Sequence, residues 1–139
     1  MLKCDFQYQQ ADFLLKIKLE VQQTLLGIVG ASGSGKSTFL KNIVGLLQPQ
    51  QGSIQFNQRI LVDTEQKIYV PMHQRKIALV FQNALLFPHM NVQQNLRYAE
   101  KLVANLEGKF QFEEVLELLE LRPLIQRKAH QLSGGEAQR

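Results

Sequence analysis

Phe13, Leu15, Ile17, Leu19 and Val21 alternate with Leu14, Lys16, Lys18 and Glu20. A period of two marks a strand with one buried face. Leu2 to Tyr8 supplies its hairpin partner through Gln9-Gln10-Ala11. Leu25-Leu26-Gly27-Ile28-Val29 is apolar without alternation, the pattern of a strand covered on both faces, and Ile77 to Phe81 repeats it. Between them, Ser37 to Leu47 sets Phe39, Leu40, Ile43, Val44 and Leu47 at helical spacing, and Pro49-Gln-Gln-Gly52 ends the run. Two short strands, Ser53 to Phe56 and Arg59 to Val62, flank Asn57-Gln58. Beyond Pro88 the period becomes helical over Val92 to Leu106 and Phe112 to Leu121. Val115, Leu116, Leu118, Leu119 and Leu121 form a core-facing stripe there. The pattern predicts an α/β part over residues 1–85 and a helical part over 86–139.

Composition changes this picture little. The 139 residues are 45% hydrophobic and 20% charged, ordinary values for a globular chain with one real core. No apolar run approaches the ~18 residues of a membrane span, and the amino terminus does not read as a signal peptide. One cysteine, Cys4, cannot form an internal disulfide; a buried, idle thiol in a reducing cytoplasm is its plain reading. The net charge of +4 suits an anionic partner. A basic stripe with interleaved aromatics is lacking, which argues against nucleic acid.

The candidate chemistry begins where the first apolar strand ends. Gly30-Ala31-Ser32-Gly33-Ser34-Gly35-Lys36-Ser37-Thr38 fits G-x-x-x-x-G-K-[ST] between a strand and a helix. Glycines let the backbone curl so that its N–H groups face phosphate oxygens. The following helix turns its positive end to the same anion. Lys36 reaches the terminal phosphates and the Ser37 hydroxyl offers a ligand to Mg²⁺. This loop alone does not separate ATPases from GTPases, kinases or helicases. A second glycine-serine stretch, Leu132-Ser133-Gly134-Gly135-Glu136, reads locally as a capping box with Ser133 and Glu136 as its poles. Capping needs neither glycine, and both weaken a helix. They make sense where backbone must press against an anion.

With "GASGSGKST", "VFQ" at Val80 to Gln82, "LFPHMNV" at Leu86 to Val92 and "LSGGEAQR" in order, the whole chain resembles the ATP-binding cassette family. That resemblance implies a P-loop nucleoside triphosphatase fold: a RecA-like α/β core, an antiparallel β subdomain and a helical subdomain. It also implies that ATP with Mg²⁺ is sandwiched between the phosphate loop of one subunit and the signature turn of a second. Two chains facing head to tail then form a homodimer with two complete sites. On the family pattern, Gln82 contacts Mg²⁺ and the attacking water, so Lys36 and Gln82 carry catalysis and Ser37 and Gln82 hold the metal. Ser133, Gly134, Gly135 and Glu136 approach the partner's nucleotide. Adenine stacks on an aromatic upstream of the loop; Tyr8 fits that spacing, with Phe6 and Phe13 as rivals. His89 falls where transmembrane permease subunits dock, which implies a peripheral position on the cytoplasmic face of the membrane. A periplasmic or extracellular solute-binding protein is an indirect partner.

The family's next elements, an apolar strand ending in Asp-Glu, a D-loop and a switch histidine, do not occur before Arg139. The chain is therefore expected to be the first part of a cassette, binding nucleotide and hydrolysing it poorly alone. Arg59 to Ala99 is most similar to ATPase subunits of molybdate importers, apart from Lys76 in place of a second Arg and Gln22-Gln23-Thr24 in place of Gly-Glu. Sulfate, ferric-iron or polyamine import are neighbouring readings. A cassette of DNA maintenance or a plain nucleotide-binding module are readings of another class. Only 51 positions separate Gln82 from Ser133, and that compactness favours transport.

Overall fold

The computed structural model describes residues 1–102 and 111–139. They form two compact units, Met1–Leu79 and Val80–Arg139, dividing six residues before the expected 85/86 boundary.

The first unit is built on an antiparallel sheet. Strands β1 (Leu2–Gln10), β2 (Phe13–Val21), β3 (Gln51–Phe56), β4 (Arg59–Asp63) and β5 (Ile68–Tyr69) lie in the order β2-β1-β3-β4-β5. The β1–β2 hairpin pairs Leu2 with Val21 through to Gln10 with Phe13, the register that period two demands. Its inward face carries Cys4, Phe6, Tyr8 and Leu15; its outward face carries the exposed ion pairs Lys3–Glu20 and Lys18–Asp5. Burial pushes the Cys4 thiol up to about 12, so it stays an inert core group. Asn57 and Gln58 take φ of 46° and 66°, the left-handed pair of a tight two-residue hairpin turn between β3 and β4. The ladder slips between Ile54 and Gln55, and this bulge lets the adjacent Leu61 and Val62 both face the core.

Helix α1 (Lys36–Val44) packs on the inward face, where Phe39 and Ile43 join Ile54, Leu61 and Val62. The Phe39 ring stacks parallel to Phe6 at 6.3 Å. The helix ends at Val44, earlier than the expected Leu47. Gly45 takes φ of 90° there, and the amides of Gly45, Leu46 and Leu47 all turn back to the Lys41 carbonyl. A short α2 (Met72–Arg75) follows β5.

Two expectations fail together. Leu25–Val29 and Ile77–Phe81 are not strands, and several of their side chains stand in the open: Leu25 is 88% exposed, Val29 96%. An apolar run becomes a strand only beside a partner that takes its backbone hydrogen bonds. Among the described residues no strand pairs with either segment.

The second unit holds α3 (Val92–Leu102), α4 (Phe112–Leu118), 3₁₀ turns at Arg122–Leu124 and Ala129–Gln131, and α5 (Gly134–Gln138). Residues 103–106 of the expected helix lie outside the described residues. Val92, Leu116, Leu121 and Leu124 make its core, with Leu96, Phe112 and Leu119 against them. Leu118 is exposed rather than part of the stripe, because α4 ends there and Glu120 turns left-handed at φ 52°.

Candidate functional site

In the first unit, the chain leaves the open Leu25–Val29 segment, closes a turn from Gly30 to Gly35 and enters α1. Gly33 and Gly35 have φ of 79° and 94°, conformations a side chain opposes. A Cβ on Gly35 would also lie 2.9 Å from the Phe13 ring and 3.0 Å from Leu15 Cδ1, so β2 supports the loop from beneath. At Gly30 the same atom would approach Ser34 Oγ to 2.8 Å. The N-cap of α1 is Gly35 itself, with no side-chain cap and no acid in the first turn. Its leading amides therefore keep their donors for an outside acceptor. Lys36 Nζ folds back over the turn, donating to the carbonyls of Gly30 (2.8 Å) and Ala31 (2.7 Å). Ser32 and Ser37 are exposed and Thr38 is half-buried. Uncapped amides, one ammonium and hydroxyls form a donor set that fits a phosphate chain, and the hard Ser37 oxygen fits Mg²⁺. Beside the loop opens a cleft of about 470 Å³, walled by Leu15, Ile17, Leu19 and Phe39.

Tyr8 does not offer its ring to this loop. It is 7% exposed and packed in the core, because Cys4, Phe6 and Tyr8 share the inward face of β1. Phe6 is buried against Phe39. Of the three aromatics, Phe13 is the half-buried one in reach of the glycine loop.

In the second unit, Gln82 is exposed on irregular backbone. Ser133 N-caps α5: its Oγ accepts from the Glu136 amide at 3.2 Å, and Glu136 Oε2 accepts from the Ser133 amide at 2.7 Å. The capping box expected from sequence is present. Glu136 Oε1 also faces Arg127 Nη1 at 3.5 Å. The Ser133 amide, then its side chain, hold the Glu136 carboxyl below its ordinary range. One carboxylate oxygen is held by the turn and the other by Arg127, which makes Glu136 a brace. Gly134 and Gly135 differ from the glycines of the first loop. Neither has positive φ, and a Cβ on either would meet nothing within 4 Å. Among the described residues nothing requires glycine there.

Sequence reasoning missed Asn95. Its side chain accepts from the Phe87 amide (2.8 Å) and donates to the carbonyls of Phe87 (3.3 Å) and Asn91 (3.0 Å), fixing the loop that displays Phe87 and His89. A helical period records such a residue only as polar.

The two glycine-serine turns stand in a chain whose residues 14–139 match the family model described as ABC transporter. The chain belongs to the ABC transporter family. Relatives named "Molybdenum import ATP-binding protein" share its sequence along its length. That of Mesorhizobium japonicum is 41% identical over 99% of this chain and 37% of its own length. Those of Yersinia pestis and Aliivibrio fischeri are 41% and 42% identical over the whole of this chain, covering 38% and 37% of theirs. The chain thus spans a little over a third of the curated relatives it matches. Among solved structures, an ATP-binding cassette in a dimeric post-hydrolysis state with ADP and Pi superposes with a TM-score of 0.70 at 26% identity. It is covered over 65% of its length, and 99% of this chain takes part. An ATP-binding subunit of an ABC transporter aligns at TM-score 0.75 and 22% identity, over 99% of this chain and 57% of that one, a likeness of fold alone. The fold is accordingly mixed α/β of the ABC ATPase type, here as an antiparallel sheet plus helices. Among the described residues no helix is long and apolar enough to cross a membrane.

Proposed function

We propose that the whole protein is the ATP-binding and ATP-hydrolysing subunit of an importer, and that its cargo is an oxyanion, molybdate. This chain contributes both halves of a shared nucleotide site. The cargo assignment rests on the names of its relatives at about 41% identity and on the likeness of Arg59 to Ala99. The shared site rests on one observation above all: among the described residues nothing calls for glycine at Gly134 or Gly135.

The roles follow from the geometry of each turn. On binding, Lys36 exchanges the Gly30 and Ala31 carbonyls for the outer phosphates, and the uncapped amides of α1 receive the inner ones. Ser37 would hold Mg²⁺, which supplies charge neutralisation on the phosphates. Phe13 offers the adenine a ring face beside the loop. The second chain's signature turn closes over the terminal phosphate, with its Ser133 held in place by the reciprocal cap with Glu136. Bare glycine backbone allows the approach. Glu136 acts by holding Ser133 in place. Permease subunits dock near Phe87 and His89, and the assembly sits on the cytoplasmic face of the membrane.

The test is molybdate uptake in a strain deleted for the gene, restored by the wild-type protein and not by Gly135→Ala. Normal uptake in the deletion strain would remove the cargo assignment. ATP-dependent association unaffected by Gly135→Ala would remove the shared site.

A further inference from the structure

Arg75 is 2% exposed, yet among the described residues it has no carboxylate partner. Its guanidinium is held by backbone instead. Nη1 donates to the carbonyls of Asn42 and Ile43, both at 2.8 Å, and Nε donates to Val70 at 2.7 Å. The Tyr69 ring lies beneath it, 5.1 Å from centroid to Cζ, while the Tyr69 hydroxyl donates to the Gly45 carbonyl at 3.0 Å. Gly45 leaves the room: a Cβ there would come within 2.8 Å of Arg75 Nε. Nη2 is buried with no acceptor.

Burying a guanidinium with one nitrogen unanswered is costly, and an apolar residue of similar volume would fill the same space more cheaply. Stability alone therefore does not account for Arg75. What it touches is the carboxyl end of α1, the end carrying the negative pole of the helix. The opposite end, about 13 Å away along nine residues, presents Gly35, Lys36 and Ser37. A helix this short moves as a rod, so fixing one end fixes the other. A cation at the far end also adds to the positive potential at the near one.

We propose that Arg75 is a positioning residue for the phosphate loop, gripping the last turn of α1 so that its first turn stays aimed at phosphate. This rests on the phosphate-loop reading above. The experiment measures MgATP affinity by calorimetry in the whole protein for Arg75→Met, Arg75→Gln and Arg75→Lys, each held well below its own Tm, with Lys36→Ala alongside. Arg75→Met and Arg75→Gln are expected to bind MgATP about three- to tenfold more weakly. Arg75→Lys, which returns a cation to the α1 carbonyls, is expected to recover part of that loss. A lowered Tm with wild-type affinity in whichever neutral variant folds would overturn the inference and leave a packing role. Wild-type affinity in Lys36→Ala would instead overturn the phosphate-loop reading itself.

Discussion

The two glycine-serine turns look alike in sequence and are opposite in construction. The Gly30–Gly35 turn needs its glycines for itself: Gly33 and Gly35 are left-handed, and Gly35 lies against Phe13 and Leu15. The Ser133–Glu136 turn needs only its serine and its glutamate, which cap each other. Its glycines have ordinary backbone and empty surroundings. In the first turn glycine is a requirement of local folding; in the second, nothing among the described residues requires it, which is the basis for proposing a ligand there.

That contrast can be broken by substitution. Lys36→Ala should have the largest effect, lowering ATP hydrolysis by at least on the order of a hundredfold in a steady-state assay, since it removes the ammonium held over the Gly30–Gly35 turn. Gly134→Ala and Gly135→Ala should cost hydrolysis about tenfold or more while folding stability stays level or rises by about 0.5–1 kcal/mol, as helix propensity favours alanine. Thermal unfolding beside the activity assay separates the two effects. A parallel loss of both would make these glycines structural after all. Gly35→Ala should do the reverse, destabilising the fold by about 1–3 kcal/mol through forced φ and the clash with Phe13. Ser133→Ala removes a cap and should cost about 1 kcal/mol locally, read as faster hydrogen exchange in α5.

The smallest effect is on pH. The Glu136 carboxyl is held below its ordinary value in the folded turn. Its contribution is therefore complete above the unfolded glutamate pKa and is lost as pH falls through the lower, folded one. Amide shifts of Ser133 and Glu136 should stay constant across neutral pH and move only in acid below the ordinary glutamate range. Movement near neutrality would mean that the carboxylate is not braced.

The sequence was most legible where the signal was local. Alternation from Phe13 to Val21 carried both strand and register, Asn57-Gln58 carried its turn, and the capping box was readable from Ser133 and Glu136 alone. Reading failed where structure depends on distant neighbours. The same alternation that predicted β1 places Tyr8 inside with Cys4 and Phe6, yet spacing to the loop made it look available to adenine. Leu25–Val29 and Ile77–Phe81 have the composition of covered strands, but pairing partners are a property of the assembled sheet and not of the segment. The sequence shows Arg75 only as half of a basic pair with Lys76, and only the approach of Gly45 and the α1 carbonyls makes it core. Asn95 was lost for a related reason, since its partners are backbone atoms of a loop.

The central claim is that phosphate is gripped by the first turn of one chain and the second turn of another. Mixing Lys36→Ala and Gly135→Ala subunits of the whole protein tests it directly, by sedimentation with MgATP under conditions where hydrolysis is blocked. Neither variant should associate alone: the first lacks a working phosphate loop and the second a working signature turn. The mixture should form pairs holding a single nucleotide, because the loop of one variant and the signature turn of the other make one intact site. A mixture that stays as monomeric as its components would contradict the account.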